Sequence, residues 1–234
     1  MYYNKGKCTY NVQNYNMEDI KMSEENKYLK LARAAREEDN AEDARKYYEM
    51  ARTEDPENIE ARFFYQYYAL MDCKNIEIAD RYEKLINSIE PTLKMIAKST
   101  LSDSEKVELV TEIVGKTLPL KNVLLDIMYG LKVDGESVLP SSHMSSVTHN
   151  GIEFERNLGD KLIAIFGSKA SPYTDLAVNL WKERIREFHA TGGKRGYKDK
   201  GKKAWFDELA DKIKVYDPSY VLPEFKQEGC ISIG

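Results

Sequence analysis

Hydrophobic residues recur along most of this chain with a period of about 3.6 residues, which is helical, rather than the period of about 2 that marks a strand. The first stripe follows the pattern i, i+3, i+4, i+7 and consists of Tyr28, Leu31, Ala32 and Ala35. The second stripe has a similar helical spacing and consists of Ala41, Ala44, Tyr48 and Ala51. Asp39-Asn40, a pair that tolerates turn geometry, separates the two stripes. The pattern predicts two helices whose small residues let the backbones approach closely.

Further hydrophobic stripes predict helices as far as the C-terminal tail. They cover residues 58–72, 75–99, 102–131, 152–166, 173–189 and 202–215. Ser102 and Glu105 form the capping-box pattern at one of these starts. Because proline lacks the amide hydrogen used inside a helix, we expect Pro91 to start or kink a helix and Pro119 to split or bend one. Pro56 is expected in the first turn of the third helix.

Residues 25–58 also follow a longer pattern of small and large side chains. Counting Glu25 as position 1, the pattern consists of Tyr28 at 4, Leu31 at 7, Ala32 at 8, Ala44 at 20, Tyr48 at 24, Ala51 at 27 and Pro56 at 32. This resembles a tetratricopeptide repeat, a helix–turn–helix unit of about 34 residues. Position 11 departs from the pattern, because Ala35 stands where a tyrosine is usual. An ordinary alanine-rich αα-hairpin is the alternative interpretation, and the matching positions favour the repeat.

The resemblance implies an all-α fold in which antiparallel, tetratricopeptide-like helix pairs are followed by further packed helices. More loosely, residues 28–51 and 176–189 resemble a group of bacterial proteins that place a repeat-like helical hairpin before a further helical region. Some of those proteins begin with a zinc ribbon. A ribbon needs four ligands, and the N-terminal segment offers only Cys8, so we expect no metal and no cofactor.

The patterns divide the chain into four regions. They are a flexible N-terminal tail at 1–22, the helical hairpins at 23–99, a C-terminal helical region at 100–225 and a flexible tail at 226–234. Residues 132–150 are rich in serine and poor in charge, and are predicted to form a polar surface loop. The sequence leaves open whether the two helical regions share one core.

Composition agrees with a soluble, all-helical protein. The chain has 234 residues, of which 42% are hydrophobic, and its formal net charge is −4. It therefore has enough hydrophobic residues for a core and no overall attraction to nucleic acid or anionic lipid. No hydrophobic run reaches the roughly 20 residues that a membrane helix needs, so we expect a cytoplasmic protein. The three cysteines are widely spaced and odd in number, which excludes a disulfide framework.

A basic segment at 191–203 is the strongest local charge feature. Its cations are Lys194, Arg195, Lys198, Lys200, Lys202 and Lys203. Gly196–Lys203 satisfies the spacing GxxxxGK, but no serine or threonine follows the lysine and no strand precedes the segment, as a phosphate-binding loop requires. A solvated loop between helices is the favoured interpretation. Nucleic-acid or nucleotide binding is the alternative.

A tetratricopeptide-like groove would be lined by the first helix of each pair. Its candidate partner-binding residues are Lys30, Arg33, Arg36, Phe64, Tyr65 and Tyr68. Basic residues there favour an acidic segment or a C-terminal carboxylate of another protein. No set of residues has the spacing of a catalytic site, so the sequence predicts a non-enzymatic adaptor that binds a peptide or protein segment, with nucleic-acid binding through residues 191–203 as the alternative. The oligomeric state is left open.

Overall fold

The computed structural model of the chain describes residues 26–74, 77–130, 132–133, 136–137, 153–167, 172–196 and 200–223. In these ranges the chain forms eight helices and one antiparallel pair of two-residue strands, which confirms the predicted all-α fold. The helices are α1 (Lys27–Glu37), α2 (Ala41–Glu54), α3 (Ile59–Met71), α4 (Ile78–Lys98), α5 (Asp103–Gly130), α6 (Phe154–Phe166), α7 (Pro172–Gly196) and α8 (Lys200–Tyr216). The strands are β1 (Lys132–Val133) and β2 (Glu136–Ser137).

The short strand pair occupies the start of the segment that we expected to be a polar loop, and Lys132 pairs with Ser137. The rest of that segment, together with the predicted tails at 1–22 and 226–234, lies outside the described residues.

Asparagine side chains set the starts of α2 and α3. Each side-chain oxygen accepts a hydrogen bond from the backbone N–H three residues later, at 3.1 Å for Asn40 and 2.9 Å for Asn58. Asp39 has a positive φ of 55°, a conformation that aspartate adopts more readily than most residues, and the chain turns there between α1 and α2. Pro56 does not lie in the first turn of α3 as expected, because Asn58 is the N-cap and the helix begins at Ile59, three residues after the proline.

The start of α5 has the predicted capping box. The backbone N–H of Ser102 donates to the Glu105 carboxylate at 2.8 Å, and the backbone N–H of Glu105 donates to the Ser102 hydroxyl at 3.3 Å. These reciprocal bonds pair two backbone donors that the first helical turn would otherwise leave without a partner.

Neither internal proline ends its helix. Pro91 lies inside α4 and Pro119 inside α5, so the expectations that Pro91 starts a helix and that Pro119 splits one are wrong. Within two residues of each proline, a threonine hydroxyl donates at 2.8 Å to the carbonyl four residues earlier, from Thr92 in α4 and from Thr117 in α5. Both threonines are buried, so tertiary packing on these turns offsets the local cost of proline.

Close packing of small residues joins α1, α2 and α3. Ala32, Ala44 and Ala51 have no exposed surface. The buried Tyr48 ring stacks on two aromatic rings of α3, with centroids 5.3 Å from Phe64 and 5.9 Å from Tyr68. Consecutive helices therefore pack as adjacent pairs, as the stripes of small and large residues predicted.

The buried leucine of α1 differs from the predicted one. Leu31 is 43% exposed, whereas Leu29 is only 7% exposed and packs in the core. Leu31 lies on the side of α1 that no other described helix covers. The predicted stripe was therefore correct for Ala32 and Ala35 and wrong for Leu31.

The C-terminal helices attach to the same core. Buried side chains from α1 through α8 belong to one continuous hydrophobic cluster. α6 packs on α4, where Lys161 pairs with Glu90 at 3.2 Å, and α5 also contacts α7. Helices α6 and α7 are in close contact at Gly159, and the Trp181 indole N–H donates to the Arg156 carbonyl at 3.3 Å.

We expect substitution of either buried alanine to destabilise the fold. Ala32→Leu and Ala44→Leu should each lower the free energy of unfolding by about 1–3 kcal/mol, because the extra carbons have no space between the helices. Urea denaturation followed by circular dichroism measures this. Ala34→Leu is the matched control, since Ala34 is exposed on α1. Equal stability of all three variants would contradict the close helix contact.

Substitution of two glycines by alanine should have opposite effects on the stability of the fold. A Cβ at Gly159 would lie 2.5 Å from Trp181 Nε1, whereas a Cβ at Gly115 in α5 meets no atom within 4 Å. Gly115→Ala should stabilise the protein by about 0.5–1 kcal/mol through the lower backbone entropy of alanine. Gly159→Ala should destabilise it by about 1–3 kcal/mol through overpacking. Thermal unfolding of both variants tests this, and a stabilised Gly159→Ala would show that α6 and α7 are not in close contact.

Candidate functional site

The predicted cations of α1 lie along one side of the helix, but two of them already have acidic partners. Lys30 and Arg33 are exposed, and Arg36 is half-buried. Arg33 Nε donates to Glu60 Oε1 on α3 at 3.0 Å, and the Tyr48 hydroxyl donates to the same oxygen at 3.1 Å. Glu60 therefore links an exposed cation to the buried ring of α2.

Helix α5 also contributes to this side of the molecule. Arg36 forms an ion pair with Glu112 of α5, and its guanidinium carbon lies 4.4 Å from the centroid of the Phe64 ring. Lys116, one turn after Glu112, lies 5.9 Å from the centroid of the Tyr67 ring. We call this surface of α1, α3 and α5 the inner face. It consists of Arg33, Arg36, Glu60, Tyr67, Glu112 and Lys116.

The predicted aromatic residues do not line the groove as expected. Phe64 has no exposed surface and Tyr68 is only 7% exposed, so both belong to the core. Tyr65 faces α2, where the guanidinium carbon of Arg52 lies 4.0 Å from its ring centroid. The aromatic side chain on the inner face is Tyr67, which the sequence analysis did not select. Its position seven residues after Glu60 places both on one side of α3 and was the available signal.

Burial controls the electrostatics of the tyrosines beneath the inner face. Burial raises the pKa of Tyr48 well above its ordinary value, and the nearby Glu60 carboxylate raises it further. Burial also raises the pKa of Tyr68 to about 12, although Arg36 opposes the shift. Both phenols therefore stay protonated at neutral pH and pack as neutral rings, and the Tyr48 hydroxyl donates to Glu60.

A second surface, the outer cleft, opens between α2, α3 and α4. It encloses about 660 Å³. Its lining residues are Arg52, Thr53, Pro56, Arg62, Gln66, Lys84, Asn87, Ser88, Pro91 and Thr92. Three of these are cations and none is aspartate or glutamate. Since successive helical residues are about 100° apart, Arg62 and Gln66 face away from Glu60 and Tyr67, so the outer cleft and the inner face lie on different sides of α3.

A smaller cavity of about 130 Å³ lies where α4 meets α6. Phe154, Leu158 and Lys161 of α6 line it together with Ile86 and Asn87 of α4. Asn87 also lines the outer cleft. Asn87 of α4 therefore borders both cavities.

The basic segment at 191–203 is largely helical rather than a loop. Residues 191–196 continue α7 beyond its predicted end, residues 200–203 begin α8, and residues 197–199 lie outside the described chain. Glycine lowers helix propensity by only about 1 kcal/mol, which explains how α7 continues through Gly192 and Gly193. Lys194 and Arg195 are therefore in α7, and Lys200, Lys202 and Lys203 are in α8, whereas Lys198 lies in the undescribed part.

No family model matches the chain, and comparison with curated proteins and with solved structures found no match. Among the helices that the structure describes, none combines the length and the hydrophobicity needed to cross a membrane.

Stability should fall at high pH because the buried tyrosines resist ionisation. Unfolded tyrosine has a pKa of about 10, whereas Tyr68 in the folded chain has a pKa of about 12. As the pH rises, the unfolded chain therefore loses the Tyr68 phenol proton before the folded chain does. The contribution of this protonated phenol to the free energy of unfolding is complete below about pH 10 and is lost as the pH rises towards about 12. Urea denaturation across this range measures the decline. Tyr68→Phe should make it shallower, and an unchanged pH dependence in that variant would contradict the prediction.

Proposed function

We propose that this chain is a non-enzymatic interaction module that binds a segment of another protein on its N-terminal helix pairs. The proposal rests on the outer cleft, where α2, α3 and α4 surround an open space lined by two prolines and otherwise by polar and basic side chains. Its volume is in the range of about 300–1,000 Å³ that is usual for ligand sites.

The tetratricopeptide-like frame of residues 25–58 supports the same class of function. Units with this frame stack helix pairs and present extended surfaces to partners. Here each of the helices α1 to α4 packs on its neighbour in the chain, so α3 contacts both α2 and α4. The proposal therefore keeps the predicted function and changes the surface that performs it.

The inner face is less suited to an acidic segment than the outer cleft. Arg33 and Arg36 already interact with Glu60 and Glu112, whose side chains are only 18% and 31% exposed. An incoming carboxylate would have to displace a carboxylate that is already held by the fold. Such an exchange replaces one ion pair by another and leaves little net gain in free energy.

The alternative, nucleic-acid binding through the basic segment at 191–203, predicts a different response to mutation and salt. Binding through that segment would depend on Lys200, Lys202 and Lys203, and would weaken steeply with salt because phosphate contacts release counterions. Binding through the outer cleft would not require those lysines.

A photo-crosslinking experiment separates these surfaces. The photoreactive amino acid p-benzoylphenylalanine is placed at Gln66 in the outer cleft or at Lys30 on α1, and the full chain is irradiated in its native cells. We expect adducts at Gln66 that a protease removes and a nuclease leaves intact. Circular dichroism of each purified variant checks that it is folded.

If adducts form at Lys30 but not at Gln66, the partner binds the side of α1 that carries Lys30 and does not bind the outer cleft. Nuclease-sensitive adducts that disappear when Lys200, Lys202 and Lys203 are all changed to glutamine would favour the nucleic-acid alternative. The absence of adducts at both positions would contradict the proposed function.

A further inference from the structure

We infer that the segment held in the outer cleft is acidic and extended, and that it crosses α4 at Asn87 towards Lys161. This inference rests on the proposed function, since it names the chemistry of the partner at the same site.

The lining of the outer cleft is positively charged. Arg52 of α2, Arg62 of α3 and Lys84 of α4 line one space, although they come from three different helices. The whole chain has more acidic than basic residues, with 39 Asp and Glu against 35 Lys and Arg. A lining with three cations and no carboxylate is therefore a local reversal of the overall charge, and a ligand with carboxylates would complement it.

The contacts that these three cations now make are weak, so a ligand replaces them at a small cost in free energy. Lys84 pairs with Asp80 at 2.8 Å within α4, and both side chains are more than half exposed. Arg62 donates to the Pro56 carbonyl at 3.4 Å, which is a long hydrogen bond. Arg52 lies over the Tyr65 ring, so the ring orients it without using its hydrogen-bond donors.

The other lining groups favour a polypeptide over a simple anion. The amide side chains of Gln66 and Asn87 both donate and accept hydrogen bonds. Pro91 has no amide hydrogen, so it cannot bond the backbone carbonyl of Asn87 one turn earlier in α4. A peptide supplies N–H donors for such acceptors and carboxylates for the cations, whereas an inorganic anion supplies acceptors alone.

The smaller cavity continues the proposed path of the bound segment beyond the outer cleft. It shares Asn87 with the outer cleft and is lined on its far side by Lys161 of α6. Lys161 pairs with Glu90, which also binds Lys94 at 2.7 Å, so releasing Lys161 leaves that carboxylate with a partner. An extended segment that crosses α4 at Asn87 thus meets a fourth cation.

Fluorescence anisotropy with the full chain tests the inference. The probe is a labelled peptide of alternating glutamate and glycine, and a peptide of alternating glutamine and glycine is the uncharged comparison. We expect the acidic peptide to bind and the uncharged peptide not to bind. Raising the ionic strength from about 0.1 M to about 1 M should weaken binding, because the screening length falls from about 10 Å to about 3 Å.

Paired variants locate the site. The double variant Arg62→Gln with Lys84→Gln should bind the acidic peptide about tenfold more weakly, since one exposed ion pair contributes up to about fivefold. The control is Lys74→Gln with Lys98→Gln, which makes the same charge change at two exposed lysines outside the cleft lining. The control should bind within about twofold of the unaltered chain. Lys161→Gln should weaken binding by up to about fivefold.

Equal affinity of the cleft variant and the control variant would overturn the inference. So would a short single-stranded DNA that binds the cleft more tightly than the acidic peptide. If the acidic peptide fails to bind while Gln66 still forms protein adducts, the inference falls and the proposed function stands. If neither peptide binding nor adducts are seen, both fall.

Discussion

Tyr48 connects the core of the N-terminal helices to their charged surface. Its ring fills the space beside the fully buried alanines of α1 and α2 and stacks on Phe64 and Tyr68 of α3. Its hydroxyl donates to Glu60, and Glu60 in turn binds Arg33. The position of an exposed ion pair therefore depends on the packing of a buried ring, and removal of this ring would leave both a cavity and an unsupported carboxylate.

The two surfaces of the helix pairs differ in how their charges are balanced. On the inner face the fold supplies its own carboxylates, and one of them reaches Arg36 from α5. In the outer cleft the charged lining residues are cations alone, and Asp80, the carboxylate that pairs with Lys84, is not part of the lining. The arginines of the inner face thus form ion pairs between helices. A similar number of arginines and lysines in the outer cleft give its lining a local positive charge.

Local patterns predicted the helices well because helical periodicity, caps and turns depend on residues that are close in sequence. The stripes of α1 and α2, the capping box at Ser102 and the turn at Asp39 are all of this kind. The persistence of α4 through Pro91 was not predictable in the same way, since it depends on neighbouring helices that offset a local cost. The choice of Leu29 over Leu31 likewise depends on which side of α1 another helix covers.

The candidate binding surfaces were harder to predict from the sequence than the fold. Arg36 and Glu112 are 76 residues apart, and no local pattern indicates that they meet. The outer cleft combines residues of three helices, each of which has ordinary surface residues when considered alone. Phe64 and Tyr68 were predicted as groove residues because they lie on the first helix of a pair, but their large hydrophobic rings also make them good core residues.

The small residues at helix contacts limit how this sequence can diverge during evolution. Surface ion pairs such as Lys84–Asp80 contribute little and can be replaced in related chains without loss of the fold. Ala32, Ala44 and Gly159 cannot become larger unless a facing side chain becomes smaller at the same time. A distant relative would therefore be recognised by the spacing of its alanines and glycine, and by paired changes across those contacts, long after its charges had ceased to resemble those of this chain.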